Sequence, residues 1–409
     1  MFRNWVRRGE TQVIDFDAIE AANRPLNAFT DFDRRAEFGT GALSGVTVGV
    51  KASVSVKNMP WTAGCDAYRN RIADKDAAVV AKLRDEGAAI VGMLNMEEAA
   101  LGAKTDNPYF GATQNPHNIG YTPGGSSGGS GAAVAAGLCD VALGTDTMGS
   151  VRIPAAYCGV YAFKPAQSAV SQDGLEICEA SLDCIGPMAR SLDLLQSVAE
   201  IMSDFGDRDA ASGGTATLAE HGVDCELSVM ENFRDILREA DRPLSLIDLS
   251  YPLSRIRFAG FIKTSRAMAK HFTDVDQQRL SPAFRKLLTY GPKRSAEDWK
   301  EDQEILAITA AEMQAVIQKH GHMILPTTPQ PAFPHSETAP ANQADFTCLA
   351  NIANLPAISV PSGNDSTPLP LGLQIIGKAG CEADLFATAR RYDQKLAAYY
   401  RPDNYLERR

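Results

Sequence analysis

Histidine is scarce in this chain, with six residues among 409. His117 lies in an Asn-Pro-His-Asn turn, and His320 and His322 stand at a helix-to-strand junction without an accompanying set of acidic residues or thiols. No metal centre is expected from these contexts. A Ser-His-Asp triad remains open as an alternative for three histidines: His117, His271 and His335.

Paired cysteines, long apolar runs and excess positive charge are also missing. The eight cysteines include no Cys-x-x-Cys pair, and several stand in apolar surroundings, so we expect buried free thiols in a reducing cytoplasm. The longest weakly polar stretch, 131–144, is too short to span a bilayer, and no apolar segment follows the basic residues within 1–8. The formal net charge of −10 argues against a broad surface for nucleic acid or anionic membranes.

What the chain does contain is typical of a globular protein with a sizeable core, since 44% of its residues are hydrophobic and 22% are charged. We find no internal repeat and no clear linker, which favours one domain. Its parts are expected to be an N-terminal helical approach at 1–43, a catalytic core at 44–200, a divergent covering region at 201–321 and a C-terminal part completing the core at 322–409.

Hydrophobic patterning predicts strands that alternate with helices, which indicates an α/β sheet. The predicted strands are 46–51, 88–91, 140–143, 322–326, 357–361 and 372–376. The predicted helices are 14–22, 76–86, 95–102, 129–136, one with the apolar stripe Leu306, Ala310, Met313 and Ile317, and one with the stripe Leu385, Ala389, Tyr392, Leu396 and Tyr399. The glycine-rich clusters within 203–243 predict surface loops.

Two glycine-rich serine loops carry the strongest chemical signal. Residues 124–130 read Gly-Gly-Ser-Ser-Gly-Gly-Ser, and residues 144–150 read Gly-Thr-Asp-Thr-Met-Gly-Ser. A serine hydroxyl attacks a carbonyl only when a base removes its proton, and backbone N–H groups of a tight loop can stabilise the oxyanion that forms. Ser150 is therefore the candidate nucleophile, and the candidate oxyanion hole is formed by Thr147, Met148, Gly149 and Ser150.

Lys51 is a better candidate base than any histidine. It ends the apolar run Val-Thr-Val-Gly-Val, which can carry it into the interior. A lysine acts as a base only when neutral, and burial lowers its pKa. A hydroxyl between Lys51 and Ser150 would help the proton transfer, and Ser126 and Ser127 both offer one.

These motifs resemble the amidase signature family of serine hydrolases. The resemblance rests on both serine loops, on the continuation Val-Arg-Ile-Pro-Ala at 151–155, and on segments such as Pro-Thr-Thr-Pro at 326–329 and Asn-Leu-Pro-Ala-Ile-Ser-Val-Pro at 354–361. It implies an α/β/α sandwich with a large mixed central sheet, no cofactor, no metal and a possible homodimer. It also implies a Ser–cis-Ser–Lys triad of Ser150, Ser126 and Lys51, with a cis peptide at Gly125–Ser126; Ser127 stays open as the alternative bridge.

Four further residues are candidates for a supporting role or for substrate contact. Asp146 and Arg152 flank the nucleophile and are expected to pair, although Arg152 is also open as a ligand for a substrate carboxylate. Ser127 and Gln374 are candidates for residues that support the triad.

Two positions depart from the family pattern. Met148 stands where the family commonly has a small residue, so a side chain turned to the substrate would narrow the acyl pocket. Ala52 follows the lysine where an acidic residue is usual, which either helps to keep Lys51 neutral or weakens its hydrogen-bond network.

The expected reaction is hydrolysis of a small amide by a cytoplasmic enzyme of the compact amidase type, without nucleic-acid or membrane partners. Two alternatives stay open: a glutaminase-type subunit of an amidotransferase complex, and a catalytically silent binding protein with the amidase fold. The divergent middle region is expected to shape the pocket, with Arg255, Arg257, Arg266 and His271 as candidates for a pocket charge.

Overall fold

An 11-stranded mixed sheet organises the described part of the chain. The computed structural model describes residues 13–208, 214–219, 222–239, 244–363 and 369–407, so the basic segment 1–8 lies outside the described residues. No helix among the described residues combines the length and apolar content needed to cross a membrane.

The described strands and helices alternate along most of the chain. The strands are β1 (Phe29–Phe32), β2 (Thr47–Lys51), β3 (Ala89–Leu94), β4 (Asp106–Asn107), β5 (Gly111–Ala112), β6 (Val141–Asp146), β7 (Tyr161–Lys164), β8 (Cys184–Ala189), β9 (Thr215–Leu218), β10 (Leu244–Ile247), β11 (His322–Pro326), β12 (Ala357–Pro361) and β13 (Gly372–Ile376). The helices are α1 (Phe16–Asn23), α2 (Ala78–Asp85), α3 (Gly128–Ala135), α4 (Arg152–Tyr157), α5 (Leu192–Met202), α6 (Leu227–Arg238), α7 (Leu253–His271), α8 (Pro282–Leu288), α9 (Tyr290–Lys293), α10 (Ala296–His320), α11 (Cys348–Ile352) and α12 (Glu382–Leu396).

The sheet runs in the order β1-β3-β2-β6-β8-β7-β12-β13-β11-β9-β10. β2 lies between β3 and β6 and is parallel to both, whereas β8, β7, β12, β13 and β11 pair antiparallel in succession. Because the carboxyl ends of parallel strands meet at one edge, the residues that follow β2 and β6 come together there.

Alternate residues of the central strands face opposite layers. In β3, Ile90 packs in one apolar cluster with α2, α5 and α12, whereas Ala89 and Val91 pack in another with α1, α3 and α4. In β11, Ile324 belongs to the first cluster, while Met323 and Leu325 pack in a third cluster with α7, α10 and α11. Strands buried on both faces are continuous runs of apolar residues, which explains why these strands could be predicted from the sequence. The α/β/α sandwich with a large mixed sheet is thereby confirmed.

The helix predicted at 95–102 is wrong. Only a 3₁₀ turn at Glu98–Ala100 forms there, and Ala99 and Ala100 have positive φ angles of 49° and 58°. Side chains of this segment bind backbone groups of other segments: Asn95 donates to the Gly111 carbonyl at 2.9 Å, and a Glu98 oxygen accepts the Ser281 amide at 3.0 Å. Such side-chain contacts to the backbone compete with helical hydrogen bonding.

The surface loops predicted within 203–243 are also wrong for two described parts. β9 lies between β11 and β10 in the main sheet, and α6 buries Val229, Phe233 and Ile236. The glycine-rich clusters that led to the prediction, 206–209 and 212–215, run up to the start of β9, and 209–213 and 240–243 lie outside the described residues. The C-terminal helix ends at Leu396, so Tyr399 lies beyond it, against Tyr161.

The cysteine prediction is confirmed as far as burial is concerned. All eight are thiols, and seven of them are buried, with Cys225 partly exposed. Burial raises the pKa of the Cys184 thiol to about 12, which keeps it protonated at neutral pH.

Candidate active site

Lys51 ends β2 inside the protein, with no exposed surface. Its Nζ donates to Oγ of Ser126 at 2.7 Å and to Oγ1 of Thr145 at 2.7 Å. Thr145 belongs to β6, whose residues pair with β2 up to Val50 and Leu143, so the two strand ends place the amine beside the threonine.

Burial is the main electrostatic effect on Lys51. Removing the ammonium from water lowers its pKa from 10.5 to about 7, although the acidic groups Asp183, Asp146 and Glu97 act in the opposite direction. The lowered pKa makes the neutral form of Lys51 accessible near neutral pH, and a neutral amine can accept a proton. The absence of an acidic residue at Ala52 is consistent with this balance.

The first serine loop ends in a tight turn that leads into α3. The Gly125–Ser126 peptide is cis, the geometry that the resemblance implied. Gly129 has no room for a side chain, since a Cβ there would lie 2.4 Å from the Asn95 carbonyl oxygen. The glycines thus let the loop lie close against neighbouring backbone.

Ser127 is held by backbone groups rather than by Lys51. Its Oγ accepts the Thr145 amide and donates to the Thr145 carbonyl, both at 3.2 Å. Its own amide donates to the Ser150 carbonyl at 3.3 Å, which joins the two serine loops. Of the two serines considered as the bridge, the structure therefore brings Ser126 to the lysine.

The loop 146–151 begins at the last residue of β6, overlaps the second serine motif and carries Ser150, which is partly exposed. The Gly149 amide donates to Oδ1 of Asp146 at 2.7 Å, so one of the four amides expected in the oxyanion hole is already hydrogen-bonded. Gly149 has a φ of +134°, and a Cβ there would lie 2.1 Å from Oγ1 of Thr347. Only glycine fits at this position.

A buried ion pair between Arg152 and Asp146 supports the loop 146–151. Arg152 donates from Nε and Nη2 to the two oxygens of Asp146 at 3.0 and 2.9 Å, and both side chains are fully buried. Burial alone would raise the pKa of Asp146, but the charge and hydrogen bonds of Arg152 lower it to about 2. The pairing predicted from the sequence is present.

Arg152 also donates to the Thr347 carbonyl, to Asn351 and to Oε1 of Gln374. Since its donors are used within the protein and none of its surface is exposed, Arg152 holds the loop and has no free face for a substrate carboxylate. Gln374 takes part through this contact, at the far side of Arg152 from Asp146.

Met148 turns toward α7, the helix that carries Gly260. The side chain is half-buried and packs against the third apolar cluster, close to Gly260 and Ile352. Oγ1 of Thr347 donates to its carbonyl oxygen at 2.7 Å.

Three residues that support the site were not predicted from the sequence. Thr145 stands within the second serine motif, beside the residues that were singled out. Asp183 accepts from Oγ1 of Thr147 at 2.6 Å, and burial raises its pKa to about 6. Thr347 follows no motif, and its sequence neighbours offered no signal of its contact with the loop.

The histidines considered as catalytic bases are engaged elsewhere. Nε2 of His117 contacts the Cys158 carbonyl, Nε2 of His335 contacts the Thr113 carbonyl, and Nε2 of His271 lies 2.6 Å from Oε1 of Glu176. The candidates for a pocket charge likewise have partners: Arg255 with Glu301, Arg257 with Asp345, Arg266 with the Gly291 carbonyl, and His271 with Glu176.

Comparison with known proteins gives consistent matches over most of the chain. The family model described as Amidase matches residues 17–214 and 216–386. The glutamyl-tRNA(Gln) amidotransferase subunit of Methanospirillum hungatei JF-1 is 33% identical over 425 residues, covering 91% of this chain and 97% of that protein.

Solved structures agree with this match. The crystal structure of the glutamyl-tRNA(Gln) amidotransferase subunit from Thermotoga maritima superposes with a TM-score of 0.83 at 27% identity, covering 96% of this chain and 93% of that one. A crystal structure of an amidase superposes with a TM-score of 0.84 at 25% identity, covering 93% of this chain and 95% of that one. This chain belongs to the amidase family.

Proposed function

We propose that this chain breaks the C–N bond of an amide through an acyl-enzyme on Ser150, with Ser126 as the bridging hydroxyl and Lys51 as the base. The observation that carries the proposal is the contact between Nζ of Lys51 and Oγ of Ser126, at 2.7 Å in a fully buried site. A lysine whose pKa is about 7 is matched to proton transfer near neutral pH.

In the proposed first step, Oγ of Ser150 forms a bond to the amide carbonyl carbon while its proton passes through Ser126 to neutral Lys51. The negative oxygen of the tetrahedral intermediate accepts hydrogen bonds from loop amides. The C–N bond then breaks, and the proton on Lys51 returns through Ser126 to the departing nitrogen. Water repeats the sequence on the acyl ester and releases a carboxylic acid, which restores Ser150.

The oxyanion hole is proposed at the amides of Thr147, Met148, Gly149 and Ser150. The Gly149 amide reaches the oxyanion only if its bond to Asp146 is shared or exchanged when substrate binds. The other three amides have no acceptor among the described residues. These three therefore carry most of the proposed stabilisation.

A fluorophosphonate tests the nucleophile directly, because it traps an activated serine as a stable adduct. We expect one adduct on Ser150 by intact mass and peptide mapping, lost in Ser150→Ala and strongly reduced in Lys51→Met. The exposed Ser181→Ala variant is the matched control and should label at the wild-type rate. A folded wild-type protein without an adduct would contradict the proposal and favour the silent binding protein.

The substrate amide has two candidates, and the relatives favour the glutaminase type over the free-standing amidase. The amidotransferase protein of M. hungatei is covered over 97% of its length, so the match extends well beyond the serine motifs. The amidase structure at 25% identity supports the free-standing alternative less strongly. We therefore propose glutamine-type amide hydrolysis, with ammonia passed on within a complex.

Ammonia release distinguishes the two candidates. The purified chain would be assayed with L-glutamine, L-asparagine and a panel of small aliphatic and aryl amides, with Ser150→Ala as the blank. The highest kcat/KM for glutamine supports the glutaminase proposal. A preference for an uncharged small amide by about 100-fold, worth roughly 2.7 kcal/mol of transition-state binding, would overturn it in favour of a free-standing amidase.

A further inference from the structure

The side chain of Met148 occupies a notch on α7 that exists because residue 260 is glycine. A Cβ built on Gly260 would lie 3.0 Å from Cε of Met148 and 3.4 Å from Sδ, with Cδ1 of Ile352 at 3.9 Å. The methionine tip therefore fills the space that any other residue at position 260 would take for its own side chain. This contact joins the loop 146–151 to a helix of the covering region, more than 100 residues away in sequence.

The backbone of the same loop is held at two further points, both polar. The Thr347 hydroxyl binds the Met148 carbonyl, and the Asp146 carboxylate binds the Gly149 amide. The first point joins the loop to Thr347, far along the chain, and the second lies within the loop, whose Asp146 is in turn held by Arg152. The Met148 side chain adds an apolar contact between the loop and α7.

α7 forms an ion pair with another segment of the chain on either side of Gly260. Arg257 pairs with the nearly buried Asp345, two residues before Thr347. His271, at the C-terminal end of the helix, pairs with Glu176. The contact between Gly260 and Met148 therefore lies between two ion pairs of α7.

We propose that Met148 is a positioning residue. Its side chain in the Gly260 notch holds the loop 146–151, where the oxyanion hole is proposed, against α7 and so sets the direction of the loop amides. A long side chain at this position then does not narrow the acyl pocket, because its tip lies in the notch. Methionine suits the task, since its unbranched chain adapts to an irregular gap. The role in catalysis rests on the proposed function, whereas the effect on the loop does not.

Hydrogen–deuterium exchange of the peptide that covers 146–151 tests the attachment without any substrate. Met148→Ala should raise the exchange rate of these amides by about tenfold, because a loop that loses a packing contact opens more often. Met148→Leu should restore most of the protection, since the two side chains have similar volumes. Met202→Ala, a truncation of a buried methionine in α5, is the matched control and should leave this peptide unchanged.

Gly260→Ala adds a methyl group that pushes on the Met148 tip, so it should raise the exchange rate in the same direction but less. In a Met148→Ala background the same methyl group refills the notch, and its effect should vanish or reverse. Equal exchange in wild type and Met148→Ala would overturn the proposal, as would an equal increase in Met202→Ala. Thermal melting would first show that each variant is folded.

The rate of fluorophosphonate labelling at Ser150 then tests the link to catalysis. Labelling slower by about tenfold in Met148→Ala, with recovery in Met148→Leu, supports the positioning role. Faster exchange with unchanged labelling would overturn that role, although Ser150 would remain the nucleophile. A wild-type protein that does not label at all would refute the proposed function instead, while the exchange data would still decide whether Met148 holds the loop.

Discussion

Nζ of Lys51 and Oγ of Ser126 lie 2.7 Å apart, although the two residues are 75 positions apart in the sequence. One ends a central strand, and the other follows a cis peptide at the start of a helix. Because both are fully buried, the protonation state of the lysine governs what this contact can do.

The pH dependence of amide hydrolysis should report on Lys51. Its pKa is lowered to about 7, and only the neutral amine accepts a proton, so kcat/KM should rise with pH through about 7 and then level off. Lys51→Arg, which stays protonated, should be inactive across the range. A flat profile from roughly pH 5.5 to 8.5, the range over which a group of this pKa titrates, would contradict Lys51 as the base.

Replacement of Lys51 by methionine should stabilise the protein in a pH-dependent way. The unfolded lysine has a pKa of 10.5 and the folded one about 7, so the unfolded state holds more protons between these values. The energetic cost of burying Lys51 is complete below about pH 7 and fades as the pH rises toward the unfolded pKa.

The expected gain in unfolding free energy for Lys51→Met is on the order of a few kcal/mol at about pH 6, and smaller at about pH 9. Urea denaturation of both proteins at the two pH values measures it. An equal difference at both pH values would mean that the lysine is not desolvated as the structure indicates.

Breaking the buried pair of Asp146 and Arg152 should be costly. Asp146→Asn leaves the Arg152 charge buried without its counterion and should lower the unfolding free energy by roughly 3–5 kcal/mol. The exposed pair of Asp235 and Arg238 is the matched control, and Asp235→Asn should change stability by less than about 0.5 kcal/mol.

The pKa of Asp146, lowered from 3.8 to about 2, also has a consequence in acid. The stability it contributes is present above about pH 4 and is lost as the pH falls toward about 2. Urea midpoints measured from about pH 6 down to about pH 2.5 should therefore converge for wild type and Asp146→Asn. Parallel curves would mean that the pKa of Asp146 is the same in the folded and the unfolded protein, which would contradict its stabilisation by Arg152.

Gly149→Ala should disrupt the loop 146–151 through a steric clash. Its Cβ would lie 2.1 Å from Oγ1 of Thr347, in addition to the strain of a positive φ. Gly120→Ala separates the two effects, because Gly120 has a φ of +94° but nothing within 4 Å of the added Cβ.

We expect Gly120→Ala to lose about 1–2 kcal/mol with unchanged labelling of Ser150, and Gly149→Ala to lose labelling as well. Thermal melting and the fluorophosphonate rate measure the two quantities. If both variants behave alike, backbone strain alone explains the effect of the methyl group, and the contact with Thr347 has no special role.

The sequence predicted those elements that form continuous runs of apolar residues. The strands at 322–326, 357–361 and 372–376 are apolar runs covered on both faces, and their predicted and observed bounds coincide. The helix at 95–102 failed because Asn95 and Glu98 bind backbone groups of distant segments, and no local pattern reveals such partners. The strand β9 was not predicted, because a short strand beside glycine-rich segments resembles a loop in composition.

For the candidate site, the sequence predicted the chemical groups: two serine loops, a lysine at the end of an apolar strand, and an acid and an arginine on either side of Ser150. The two serine motifs and the lysine at the end of a strand are continuous in sequence, so they could be recognised from short segments and from their resemblance to the amidase signature. The tertiary structure was needed to show that Ser126 rather than Ser127 contacts Lys51. It was also needed to show that the histidines have other partners and that Met148 turns to Gly260. Those outcomes depend on distances between residues far apart in sequence, which the packing of the strands and helices sets.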